Sequence, residues 1–154
     1  MDEQREKQIH DHIQRDPFAN LLGAKVEILG PGHSRVTLTV RDDMVNFHGF
    51  THGGVIFSLG DIAFAAASNS RGQTAVALNV AVNFLKATTI GARLVAEARE
   101  QHAGGPVALY DITITDERTG ELVAKSENLV YRKKEWFVPQ ADSHRPGSGE
   151  PEAT

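Results

Sequence analysis

The sequence predicts an α+β domain in which an antiparallel sheet wraps around one long central helix. Two observations carry this. A single alanine-rich apolar stretch, Val55 to Ala67, is too long for an ordinary strand and is apolar nearly all round. Runs with strand patterning flank it, two before and four after, separated by turns rich in Gly and Pro.

Residues 2–14 are polar with few apolar positions and predict a surface helix. Asp16-Pro17 reads as an N-cap followed by Pro at the first helical position, opening a short helix through Leu22 that Gly23 ends. Ala24–Leu29 and Ser34–Val40 are strand runs joined by Gly30-Pro31-Gly32. The alternation in Arg35 to Val40 marks a half-buried antiparallel strand. A polar loop from Arg41 to about His52 leads into Gly53-Gly54 and the central helix, which Arg71-Gly72 closes. The remaining strand runs are Thr74–Leu85, Ala92–His102, Val107–Asp116 and Glu121–Tyr131. Gly104-Gly105-Pro106 and Arg118-Thr119-Gly120 supply hairpin turns. The expected division is an N-terminal helical segment over 1–22, the main domain over 23–137, and a disordered tail over 138–154 rich in Pro, Gly, Ser and charge.

The 154 residues suit one domain with its own hydrophobic core. A net charge of −4 without a basic face argues against a nucleic-acid partner. No stretch has the length of a membrane span, and the charged first twenty residues lack the apolar core of a signal peptide, so the cytoplasm is the expected location. Without cysteine there is no thiolate metal site and no cysteine nucleophile.

Asp61 is the sharpest chemical signal, because a carboxylate inside an apolar helix is costly unless paired or hydrogen-bonded. Gly53-Gly54 is the second. Glycines at a helix start let a ligand approach free backbone N–H groups that favour an anion or a developing oxyanion. Gly54 and Asp61 are seven residues apart, about 10 Å along a helix axis. One helix can hardly offer both groups to the same carbonyl. Two subunits packing these helices antiparallel across a two-fold axis would set Gly54 of one against Asp61 of the other. The uncovered edges of the predicted sheet also call for a dimer. His48 and His52 have i, i+4 spacing, but Gly49, Thr51 and Gly53 argue for a loop without a zincin Glu, so no metal site is expected. Ser58 and Ser68 lack a nucleophile elbow. Phe57, Phe64 and Leu59 are candidate walls of an acyl pocket, with a place in the core the favoured reading.

The run from Asn46 through His52-Gly53-Gly54 to Asp61 and Ala65 resembles the signature of hotdog-fold thioesterases, closest to the phenylacetate-degradation (PaaI-type) group. The likeness extends from about Phe18 to Tyr131 and includes Asn83-Phe84-Leu85-Lys86. The resemblance implies a hotdog fold, a homodimer often paired into a homotetramer, and cofactor-free hydrolysis of aryl- or acyl-CoA thioesters. By position it makes Asp61 the nucleophile or the base that activates water. It makes the Gly53 or Gly54 amide the oxyanion donor, with Asn46 and His52 beside the substrate. It places Asn79 opposite, where relatives often carry a small hydroxyl residue. Lys86 stands in place of the family's Arg as a contact for a CoA phosphate. An acyl-thioester dehydratase and a non-catalytic acyl-CoA-binding protein are the competing readings.

Overall fold

A computed structural model describes residues 2–140. The chain runs α1 (Glu3–Ile13), α2 (Pro17–Leu22), β1 (Lys25–Gly30), β2 (His33–Thr39), a 3-10 turn (Asp42–Met44), α3 (Gly53–Ser68), β3 (Gln73–Phe84), β4 (Arg93–Gly104), β5 (Val107–Asp116) and β6 (Leu122–Trp136). The strands form one six-stranded antiparallel sheet in the order β1-β2-β4-β5-β6-β3. It is the hotdog arrangement, with α3 held in the concave face of the sheet.

Alternation along the strands decides which side chains meet α3. Val36 and Leu38 from β2, Leu94, Ala96 and Ala98 from β4, and Ile112 and Ile114 from β5 are buried with Leu59, Ala63 and Ala67 of α3. The intervening residues bear charge on the outer face, where Asp111 pairs with Lys125 at 2.6 Å and Glu97 with Arg99 at 2.6 Å. Gly60 lets helix and sheet approach closely, since a Cβ there would lie 3.3 Å from the Ile114 side chain.

The short helix α2 forms as its sequence predicts. The Asp16 carboxylate accepts from the amides of Phe18 (3.0 Å) and Ala19 (3.2 Å), and Gly23 closes the helix at φ 71°. Helix α1 is more than a surface helix. Ile9 is buried, and the Arg5 guanidinium donates to the carbonyls of Arg71 (2.8 Å) and Pro139 (3.0 Å). Val138, which the sequence assigned to the tail, is also buried, and its amide reaches the Gly72 carbonyl at 3.4 Å. Burying an apolar side chain against the turn after α3 holds the chain to the body through this point. The rest of the expected tail, from residue 141 on, lies outside the described residues.

Two further differences bear on the site. Strand β6 continues through the charged Arg132-Lys133-Lys134-Glu135 to Trp136, because the start of β3 pairs with it, Gln73 opposite Trp136. Helix α3 is not buried all round. Gly54, Phe57 and Ala65 are exposed, and Ser58 and Asp61 half-buried, along one stripe. Strand β3 is a sheet edge, with Val76 and Leu78 exposed and a register irregularity between Ala77 and Asn79. No helix among the described residues is long and apolar enough to cross a membrane.

Candidate active site

The start of α3 is organised by His52. Its backbone is extended (φ −61°, ψ 133°) and its Nδ1 accepts from the Gly54 amide at 2.9 Å. The His52 carbonyl accepts from Val55 (2.9 Å) and Ile56 (3.3 Å). A helix start leaves several amides without intrahelical partners. Here the Gly53 amide alone of these first four has no acceptor among the described residues. A neutral His52 that accepts at Nδ1 carries its proton on Nε2. The histidine is thus an N-cap, a use of this residue that the His-Gly-Gly spelling did not reveal.

The preceding loop is built around Asn46. Its Oδ1 accepts from the amides of His48 (2.9 Å) and Phe50 (3.2 Å), and its own amide donates to the Phe50 carbonyl at 2.8 Å. Gly49 turns the loop at φ 83°. The loop is fastened to the segment after β3 by two buried threonines. The Thr51 and Thr88 hydroxyls lie 2.7 Å apart, and the Thr51 amide donates to the Thr88 carbonyl at 2.9 Å. Neither threonine stands out in the sequence, since the bond joins residues 37 positions apart.

Two turns along, Asp61 sits half-buried on the open stripe, with no hydrogen-bond donor among the described residues. Burial raises its carboxyl above the usual carboxylate range, and the nearby Asp16 carboxylate raises it further. Asp16 escaped the sequence reading as a neighbour of Asp61, having been read only as a cap.

The other candidates are spread more widely. Asn79 is exposed on β3 beside the irregularity in its pairing. Lys86, at the end of that strand, forms an ion pair with Glu121. Phe57 is 41% exposed on the stripe. Phe64 is a core residue and not a pocket wall: it is 2% exposed and meets Tyr110 edge-on with ring centres 5.5 Å apart. The Ser58 hydroxyl donates back to the Gly54 carbonyl at 2.6 Å, the bond a mid-helix serine commonly makes to the preceding turn.

The fold and the composition of α3 define a class, the hotdog enzymes. Comparison with known sequences and structures gives the family. A sequence model of the Thioesterase superfamily matches residues 48–123. The acyl-coenzyme A thioesterase PaaI of Escherichia coli is 38% identical over 109 residues, which are 71% of this chain and 78% of the relative. The structure of the E. coli PaaI protein from the phenylacetic acid degradation operon superposes with a TM-score of 0.81 at 34% identity, covering 86% of this chain and 96% of that one. A Streptococcus mutans protein solved with bound acetyl CoA gives 0.67 at 33% identity, covering 71% and 88%. The chain belongs to the thioesterase superfamily and is a thioester hydrolase of the hotdog fold.

Proposed function

We propose that the protein is a PaaI-type acyl-CoA thioesterase that works as a homodimer. Asp61 of one subunit acts on a thioester held at the α3 start of the other. The observation that carries this reading is the open stripe on α3. Among the described residues it has an unclaimed amide at Gly53 at one end and an unpaired, half-buried acid at Asp61 two turns on. Placed antiparallel, two such stripes bring each acid opposite the other subunit's amide and cover Phe57 in the same step. The exposed Val76 and Leu78 on the β3 edge favour a second β3 pairing there, which continues the sheet across the dimer.

In this mechanism the thioester carbonyl accepts from the Gly53 amide, which polarises it. Gly54, whose amide is already bonded to His52, fixes the turn and is not the donor. Asp61 of the partner subunit takes a proton from water, which adds to the carbonyl carbon. Collapse of the tetrahedral intermediate expels the CoA thiolate, which leaves with the proton. Direct attack by the carboxylate, with an anhydride hydrolysed in a second step, is the variant of the same geometry. Asn46 still has its side-chain NH2 group to offer to water or substrate. The acyl-CoA substrate class is supported by the name of the E. coli relative and the acetyl CoA bound to the S. mutans protein.

Thiol release from phenylacetyl-CoA and short acyl-CoA esters, followed with a thiol reagent, tests the proposal. Expected is turnover by the native protein and none of consequence by Asp61→Asn. Hydration of an enoyl-CoA without thiol release would instead assign a dehydratase. Tight binding of acyl-CoA esters without turnover would assign a carrier or sensor.

A further inference from the structure

Strand β6 departs from the apolar rule that governs the inner face of the sheet. The alternation that buries Ala124 and Val130 there also buries Ser126 and Asn128, which are 5% and 1% exposed. A polar side chain shut in an apolar core costs stability unless its donors and acceptors are used. Ser126 uses its hydroxyl by donating to Asn128 Oδ1. The Asn128 NH2 group has two hydrogens to give and no acceptor among the described residues. It is not sealed off. No side-chain nitrogen or oxygen among the described residues is both fully buried and without a partner, so the trace of surface that Asn128 keeps lies at this nitrogen. Ser34 of β2 shows the contrast, since its buried hydroxyl donates to the Ala63 carbonyl at 2.6 Å.

The place of the pair in the sheet gives that nitrogen a partner. Ser126 lies between Ile112 of β5 and Val82 of β3, and Asn128 between Tyr110 and Val80. Over β5, Gly60 of α3 approaches Ile112 and Ile114, and Phe64 meets Tyr110. Ser126 and Asn128 are therefore level with the middle of α3, one strand further toward the β3 edge. Successive helical residues turn by about 100°, so Asp61 is swung from Gly60 to one flank of α3 and Ala63 about 60° to the other. Ser34 of β2 holds the Ala63 flank, which turns Asp61 toward β6 and β3. An acid without a donor and an amide without an acceptor thus border the same space between α3 and the sheet edge, unbonded to each other. Buried waters occupy such gaps, making about three hydrogen bonds each to polar groups that lack partners.

We infer that Asn128 holds the hydrolytic water against Asp61 of its own subunit. The inference rests on the proposed role of Asp61 as the base. The Asn128 amide donates to the water oxygen, and the water donates to the Asp61 carboxylate. A second lone pair of the water is left free to form a bond to the thioester carbonyl carbon, which the other subunit holds. On attack the water's proton passes to Asp61, and Asn128 keeps both of its own. Ser126 is a positioning residue, because its bond to Oδ1 fixes which way the amide points.

The test separates kcat from KM. Asn128→Leu removes the donor and keeps the bulk. With phenylacetyl-CoA its kcat should fall about tenfold, the scale of one hydrogen bond to the reacting water, while KM stays within about twofold. Its Tm should not fall, since an apolar group replaces a buried amide with an unused donor. Asn128→Ser keeps a donor and leaves room for a second water, and should recover part of the loss. Ser126→Ala should cost about threefold in kcat, less than the loss of the amide itself. An unchanged kcat in Asn128→Leu, with Asp61→Asn inactive, would overturn the water site and leave the thioesterase standing. So would a KM that rises by different factors from one acyl-CoA ester to the next, which would make the pair a contact for the acyl group. A native protein that hydrolyses no ester would remove the parent reading instead. A crystal structure then decides the water site without turnover. An ordered water within hydrogen-bond distance of both Asn128 Nδ2 and the Asp61 carboxylate is expected, and a dry gap or a direct bond between the two side chains counts against it.

Discussion

Asp16 and Asp61 are a like-charge pair built from two different helices. The first caps α2 through the Phe18 and Ala19 amides, and the second lies on the open stripe of α3. Burial is the larger cause of the raised Asp61 carboxyl and Asp16 the smaller. Asp16→Asn removes the charge and keeps a good cap. A base works when deprotonated, so lowering the Asp61 pKa should move the acid limb of the kcat/KM profile to lower pH. The move should be partial, because burial is untouched. An unmoved limb would remove Asp61 as the titrating base.

Asp61→Asn should lose about a hundredfold or more in kcat, the usual scale for a general base. Its stability should change in the opposite sense. A carboxyl whose folded pKa is raised binds more protons in the native state, so stability falls as pH rises from the ordinary carboxylate value through the raised one. Above that window the native protein carries a cost that the amide lacks. Thermal unfolding should therefore give Asp61→Asn a higher Tm than the native protein at neutral pH. The difference should disappear in acid, where both side chains are neutral.

The two glycines should separate on substitution. At Gly53 a new Cβ meets nothing closer than the Phe84 ring at 3.7 Å, an ordinary contact. Gly53→Ala should keep its Tm and lose activity, as the methyl stands beside the proposed oxyanion donor. At Gly54 the Cβ lies 3.1 Å from His52 Nδ1 and strains the cap. Gly54→Ala should cost about 1 kcal/mol of stability in denaturant melts.

Leu78, 54% exposed on the β3 edge, tests the assembly. Leu78→Lys places a charge where the second subunit is proposed to pair. Sedimentation should report monomers, circular dichroism a folded chain, and the thiol assay little turnover. Full activity in monomers would refute a site shared between subunits.

Much of this was legible in the sequence because it is local. The cap, proline and terminating glycine of α2 lie within eight residues, and the alternation of β2 and β5 is visible in their own letters. The spacing in the sequence already set the Gly53-Gly54 helix start apart from Asp61 by two turns. What escaped reading is non-local or directional. Burial of Phe64 and exposure of Phe57 depend on which stripe of α3 the sheet covers. Glu100 accepts from Arg71 at 2.5 Å and from Tyr110 at 2.9 Å, joining the segment after α3 to two strands, and no pattern announces it. The charges at the end of β6 read as a strand terminus until β3 is seen to pair with them.

The strand order has a consequence for biosynthesis. Among the described residues strand β3 has one strand neighbour, β6, the last strand of the sheet in chain order. Until the ribosome has released residues 122–136, β3 is open along both edges and the sheet beneath α3 is incomplete. A nascent chain stalled before Leu122 exposes a twelve-residue strand with two unpaired borders. Chaperone demand during synthesis should therefore be set by the β3-to-β6 interval more than by the length of the protein.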